Sequence, residues 1–125
     1  MGGIAMKFCW TTIMVRKMKE SLDFYQGIVG LEINRKFSPR EGMEIVFLGK
    51  GETQVELIYN ESAEDANMGN GISLGFETES MDELTILLKE KGIEIISGPF
   101  SPNSHMTYFF VLDPNGLRIQ FVEYR

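Results

Sequence analysis

One cysteine, one histidine and one tryptophan are all that the 125 residues contain of those three types. Cys9, alone, excludes an internal disulfide. Cations are also scarce: twelve Lys and Arg stand against eighteen Asp and Glu, for a formal charge of -6. A partner with a phosphate backbone needs a basic face, so nucleic acid is excluded as the expected partner. No apolar run approaches the ~20 residues that a membrane-spanning helix needs, so no membrane partner is expected. The opening "MGGIAMKF" lacks the basic region and apolar stretch of a secretory signal, which makes the cytoplasm the expected location. Met6 is a second candidate start, with "MGGIA" then a non-native leader. What is present is a chain that is 43% hydrophobic and 24% charged, enough apolar material for one core.

Periodicity divides the chain into two similar halves. "KFCWTTIMV" is β-rich, "ESLDFYQGIVG" places Leu22, Tyr25, Ile28 and Val29 at helical spacing, and Gly30 fits a helix stop. "LEINRKF", "MEIVFLG" and "TQVELIY" follow as strands separated by "SPREG" and "KGE". "NESAEDANMGN" is polar and reads as a linker. The order then recurs: "GISLGFET" as strand, a helix opened by Ser80 with Glu83 three residues on, then "IEIISGPF", "MTYFFVL" and "GLRIQFV" as strands. Two βαβββ modules are expected, 7–59 and 71–125, joined by a linker at 60–70 within one domain spanning 1–125. Neither can cover both faces of its sheet alone, so the expected fold is α+β, with the tandem modules forming a curved mixed sheet around a cup.

A period of two assigns the faces of the strands. Gln54, Glu56 and Ile58 point into the cup while Val55 and Leu57 meet the helix, and Arg118, Gln120 and Val122 point in while Ile119 and Phe121 point out. On the first strand Trp10, Thr12 and Met14 face the cup; Cys9 and Thr11, Ile13 and Val15 face the helix. In "GISLGFET" the cup side takes Gly71, Ser73 and Gly75, and the helix side Ile72, Leu74 and Phe76. "TYFFVL" cannot be phased this way. A carboxylate at Glu56 and an amide at its echo, Gln120, are separated by 120 − 56 = 64 residues, against 71 − 10 = 61 between Trp10 and Gly71. A carboxylate in a partly desolvated cup needs a partner, so Glu56 is expected either to pair with Arg118 or to be harder to ionise than an ordinary carboxyl.

"SLDFYQGIVGLE", "VELIYN" and "FVLDPNGLRIQFVE", in this order and within a βαβββ repeat, resemble the vicinal oxygen chelate superfamily of glyoxalase I, extradiol dioxygenases and bleomycin-resistance proteins. The resemblance runs from about Phe8 to Arg125. Its metal-dependent members carry four inward ligands, and it places these positions at Trp10, Glu56, Gly71 and Gln120. Indole offers no lone pair and glycine no side chain, which leaves only Glu56 and Gln120 able to coordinate. Catalytic zinc sites typically use three protein ligands, so no metal cofactor is expected.

The expected function is therefore metal-free binding of a planar or partly apolar small molecule, of the bleomycin-resistance type. Ligand contacts are expected from Trp10, Thr12, Met14, Gln54, Glu56, Ser73, Arg118 and Gln120, and the acidic surface favours a cationic or neutral ligand. The alternative is a glyoxalase-like lyase or isomerase, or a dioxygenase, holding Ni, Zn, Mn or Fe through Glu56, Gln120 and a further donor such as His105 or a partner chain. A second alternative is a metal-free enzyme with Glu56 as general base. Trp10 reads either as a stacking platform or as a plug for the space a metal would fill, and Cys9 as core packing. Met14, Met43, Met68 and Met106 suit an adaptable pocket or ordinary packing. Asp113 reads as the cap of the turn ahead of Gly116. The resemblance implies a homodimer.

Overall fold

A computed structural model describes residues 3–51 and 53–125; Met1 and Gly2 of the opening "MGGIA" and Glu52 of the "KGE" segment lie outside them. The first unit runs β1 (Trp10–Met14), α1 (Met18–Gly27), β2 (Ile33–Phe37), β3 (Met43–Leu48) and β4 (Gln54–Asn60). The second runs β5 (Ser73–Glu77), α2 (Met81–Glu90), β6 (Ser97–Asn103), β7 (Met106–Leu112) and β8 (Arg118–Tyr124). The result is two four-stranded mixed sheets, ordered β1-β4-β3-β2 and β5-β8-β7-β6. In each, the first strand lies parallel to the fourth because the helix carries the chain back to the same end.

One core joins both units. Val46, Leu48, Val55 and Leu57 of the first sheet belong to the same buried cluster as Phe109, Val111, Ile119 and Phe121 of the second. Met18, Phe24 and Tyr25 of α1 and Met81, Leu84 and Leu88 of α2 complete it. Burial alternates along β4 and β8 as the period of two requires, with Val55, Leu57, Ile119 and Phe121 buried and Gln54, Glu56, Arg118 and Gln120 half-buried on the other face. The helix-side residues of both sheets thus share one interior, and each sheet keeps a second, inner face away from it.

Several local expectations shift. Helix α1 starts at Met18, two residues before the "ESLDFYQGIVG" segment, because Met18 is buried at helical spacing from Ser21, Phe24 and Tyr25. It ends before Gly30, whose φ of 81° suits glycine. Strand β6 begins at Ser97, so 93–96 is not strand. Cys9 and Ile72 are exposed rather than packed on a helix, because β1 starts only at Trp10 and β5 only at Ser73 and the alternation does not extend before them. The run that could not be phased resolves cleanly: Phe109 and Val111 are fully buried, while Tyr108, Phe110 and Leu112 share the inner face with Val122, Gln120 and Arg118.

The Asp-Pro-Asn-Gly turn does more than connect β7 to β8. Asp113 accepts from the backbone N–H groups of Asn115 (2.8 Å) and Leu117 (2.9 Å), the expected cap, and also from the Tyr25 hydroxyl of α1 (2.8 Å). Asn115 donates to Ser21 Oγ at 3.1 Å and accepts from Arg16 N–H at 3.0 Å. A turn of the second unit therefore satisfies buried polar groups of the first. The spacing of Ser21 and Tyr25, four apart on α1, presents both side chains to this one turn.

Candidate functional site: the two inner sheet faces

Register places the predicted inner residues in facing pairs. On the first sheet Trp10 lies opposite Gln54, Thr12 opposite Glu56 and Met14 opposite Ile58. On the second, Ser73 lies opposite Arg118 and Gly75 opposite Gln120. Taking Glu56 and Gln120 as counterparts makes Thr12 the counterpart of Gly75 (75 − 12 = 63) and Trp10 that of Ser73 (73 − 10 = 63). Gly71, matched to Trp10 by sequence at a shift of 61, precedes β5 and pairs with nothing in it. The two-residue difference arises because the alternation of "GISLGFET" is compatible with either shift, and only the pairing to β8 fixes which applies.

Glu56 does not pair with Arg118. Thr12 Oγ1 donates to Glu56 Oε1 at 2.5 Å across the β1–β4 pair. The Arg118 guanidinium instead lies over the Phe110 ring, 4.5 Å from its centroid. Among the described residues it forms neither an ion pair nor a side-chain hydrogen bond. Sequence reasoning put both groups on inner faces but could not show that these faces belong to separate sheets with no strand pairing between them.

Each face also carries aromatic groups that sequence reasoning missed. Trp10 meets Phe47 edge to face at 5.2 Å, and Arg35 covers Phe47 at 4.4 Å and Phe37 at 5.5 Å. Opposite registers in β2 and β3 bring Arg35 to Phe47 and Phe37 to Ile45. On the second sheet Phe100, Tyr108 and Phe110 form a row, with centroid spacings of 5.4 and 5.9 Å. The signal available was the aromatic content of "TYFFVL", unusable until the strand was phased. Trp10 remains 46% exposed and Phe100 43%, so both faces are open in a single chain. A cleft of about 690 Å³ runs between Gly30–Asn34, Gly49, Lys50 and Thr53 on one side and Gly75 and Phe76 on the other. A Cβ on Gly75 would stand 3.9 Å from Gln120 Oε1, so this cleft abuts the inner face of the second sheet.

Of the remaining candidates, His105 sits in the exposed turn between β6 and β7, its N–H bonded to Asn103 Oδ1 at 2.7 Å. Met14 is exposed on the inner face of β1, Met43 and Met106 are half-buried at strand ends, and Met68 packs against the core from the linker.

Residues 7–121 match the Glyoxalase/Bleomycin resistance protein/Dioxygenase superfamily. The chain belongs to this superfamily. It is 29% identical over 126 residues to the lactoylglutathione lyase of Neisseria meningitidis, with 94% of this chain and 91% of that protein covered. To the probable lactoylglutathione lyase of Synechocystis sp. it is 30% identical over 123 residues, covering 90% and 92%. Among solved structures, the trypanothione-dependent glyoxalase I of Leishmania major superposes with a TM-score of 0.77 at 25% identity, covering 95% of this chain and 87% of that one. TnmS3, an antibiotic-binding protein from Streptomyces sp. CB03234, superposes over 100% of both chains with a TM-score of 0.72 at 17% identity, which is a likeness of fold alone.

For a superfamily member the inner positions hold a poor donor set. Trp10 has no lone pair to give, Ser73 offers a neutral hydroxyl, Gln120 a neutral amide, and one oxygen of Glu56 is already engaged by Thr12. No three His, Cys, Asp or Glu side chains converge among the described residues. One carboxylate with an amide and a hydroxyl, and no imidazole or thiolate, does not fit a transition-metal centre.

Proposed function

We propose that this superfamily member binds a planar, partly apolar small molecule between the inner faces of its two kinds of sheet, without a transition metal. The observation that carries this reading is the half-exposed indole of Trp10 at the position where the resemblance puts a metal ligand. Its edge-to-face contact with Phe47 fixes the ring and leaves a flat surface for stacking. Thr12, Met14, Gln54 and Glu56 flank that surface on the first sheet, and Ser73, Arg118 and Gln120 supply polar contacts from the second. Glu56, oriented by Thr12, accepts a hydrogen bond from the ligand. In this reading the protein works in the cytoplasm as a homodimer, the first sheet of one copy closing over the second sheet of the other. Exposed Trp10, Phe37, Phe100 and Leu112 are the apolar groups such closure would cover. The solution mass by light scattering is then expected at twice the chain's 14.2 kDa, and a monomer at micromolar concentration would contradict it.

A second reading, a lactoylglutathione lyase, is favoured by the names of the relatives at 29% and 30% identity and by the retention of Glu56. Elemental analysis of protein purified without chelators separates the two. We expect less than about one-tenth of an equivalent of Ni, Zn, Mn or Fe, and no lactoylglutathione formed from the glutathione hemithioacetal of methylglyoxal when any of these ions is added. One equivalent of metal together with turnover establishes the lyase instead. If turnover occurs without metal, Glu56 is the candidate general base, and E56Q abolishes it while leaving binding largely intact.

A further inference from the structure

We propose that the ligand of the second sheet is an aromatic carboxylate, held by the Arg118 guanidinium with its ring on Tyr108 and Phe100; this rests on the small-molecule reading above. Arg118 is half-buried on an inner face, and none of its five N–H donors has a partner among the described residues. No buried side-chain nitrogen lacks a partner among the described residues, so the guanidinium nitrogens still reach solvent and are free to take an acceptor supplied from outside the chain. The Phe110 ring holds the guanidinium in place, with its carbon 4.5 Å from the ring centroid, a cation–π contact that uses none of its N–H donors in hydrogen bonds. The N–H edge is the part of a guanidinium that takes a carboxylate through two parallel hydrogen bonds.

The spacing of the face fits a ring attached to that carboxylate. Tyr108 and Phe110 are two residues apart on β7, hence about 7 Å along the strand. A carboxylate placed ~4 Å beyond the guanidinium carbon, in the usual bidentate geometry, sets an attached ring about 3 Å further on, over Tyr108. Phe100 stands at the far side, its ring 5.4 Å from that of Tyr108 and tilted by 42°, which gives the wall an edge. The local charge agrees even though the whole chain is acidic. By register the acid on this face is Glu77, opposite Val122, while Arg118 lies opposite Ser73, four residues or about 13 Å away along β5. The expectation of a cationic or neutral ligand, drawn from a net charge of -6, is therefore reversed at this site.

Calorimetric titration of the full-length protein with 2-naphthoate, 2-naphthamide and 2-naphthylmethylamine tests this. Naphthoate is expected to bind at least tenfold more tightly than the amide, and the amine more weakly than either. R118M should erase the preference for naphthoate over the amide, and R118K, which keeps the charge but not the planar fork, should recover only part of it. Equal binding of the three probes, or an R118M variant that is folded by circular dichroism and retains the naphthoate preference, overturns the carboxylate assignment and leaves small-molecule binding standing. Absence of heat with all three overturns it as well, whereas the reading it rests on fails separately, by stoichiometric metal and lyase turnover.

Discussion

Replacing Asp113 with alanine is expected to lower the stability of the fold by about 3–5 kcal/mol, read as a shift of the denaturant midpoint at constant slope. The carboxylate is 4% exposed and accepts four hydrogen bonds: from the N–H groups of Asn115 and Leu117, from Asn115 Nδ2, and from the Tyr25 hydroxyl. Alanine leaves three of these donors without their acceptor, Asn115 Nδ2 keeping only Ser21 Oγ, and Tyr25 is fully buried, so water cannot readily replace the carboxylate there. A domain of this kind has only about 5–15 kcal/mol in total, so a large unfolded fraction is expected at 37 °C. Y25F is the milder control, at about 1.5–3 kcal/mol, because the carboxylate keeps its other donors. The same contact sets an alkaline limit. Burial first, then the charge of Asp113 and the hydrogen bond to it, push the Tyr25 hydroxyl well above the usual tyrosine range. A group whose pKa is raised on folding contributes stability that is complete below its unfolded value, near pH 10, and lost as the pH rises further. Stability should therefore fall above pH 10 more steeply in the wild type than in Y25F. A D113A midpoint within error of the wild type would show that the turn is not a fastening between the two units.

The same turn shows how far the sequence can be read. "DPNG" announces a tight turn by composition, and Asp113 as its cap follows from local chemistry alone. Its bond to Tyr25, 88 residues away, does not, since both residues are explained locally as turn and helix. The duplicated βαβββ order was legible because each strand alternates and each helix keeps its own period, and both signals are local. The faces of β4 and β8 were legible for the same reason. Pairing was not. Which residue of β5 stands opposite Arg118 depends on register between strands 45 residues apart (118 − 73 = 45), and a slip of two residues preserves the alternation that sequence reasoning uses. That is why Gly71 rather than Ser73 looked like the counterpart of Trp10. Likewise "TYFFVL" is apolar on both sides of the strand, because one side enters the core and the other builds the aromatic row, so no polar alternation marks its phase. Arg118 was placed on the correct face, but its partner turned out to be Phe110 because a carboxylate expected from a single cup lies on a different sheet.

Gly98→Ala is expected to cost about 2–4 kcal/mol and to disturb the aromatic row at the same time. Gly98 has φ +100°, a conformation L side chains rarely adopt, and an added Cβ would stand 3.0 Å from Phe109 Cβ, 3.1 Å from Phe109 Cα and 3.1 Å from Phe100 Cδ2. Phe109 is fully buried in the shared core and two of these contacts involve its own Cα and Cβ, so it cannot turn aside. The yielding partner is Phe100, on the edge strand, where the register of β6 against β7 already shifts between Ser97 and Phe100. That irregularity carries Phe100 to its place opposite Tyr108, and the glycine at its start leaves room for it. Gly71→Ala is the matched control: its Cβ would meet nothing within 4 Å and its φ is not positive, so a change within about 0.5 kcal/mol is expected. Denaturation midpoints compare the two variants, and near-ultraviolet circular dichroism reports the packing of Phe100 on Tyr108. A G98A protein as stable as G71A, with an unchanged aromatic spectrum, would mean that β6 accommodates a side chain there and that the wall of the second sheet does not depend on this close approach.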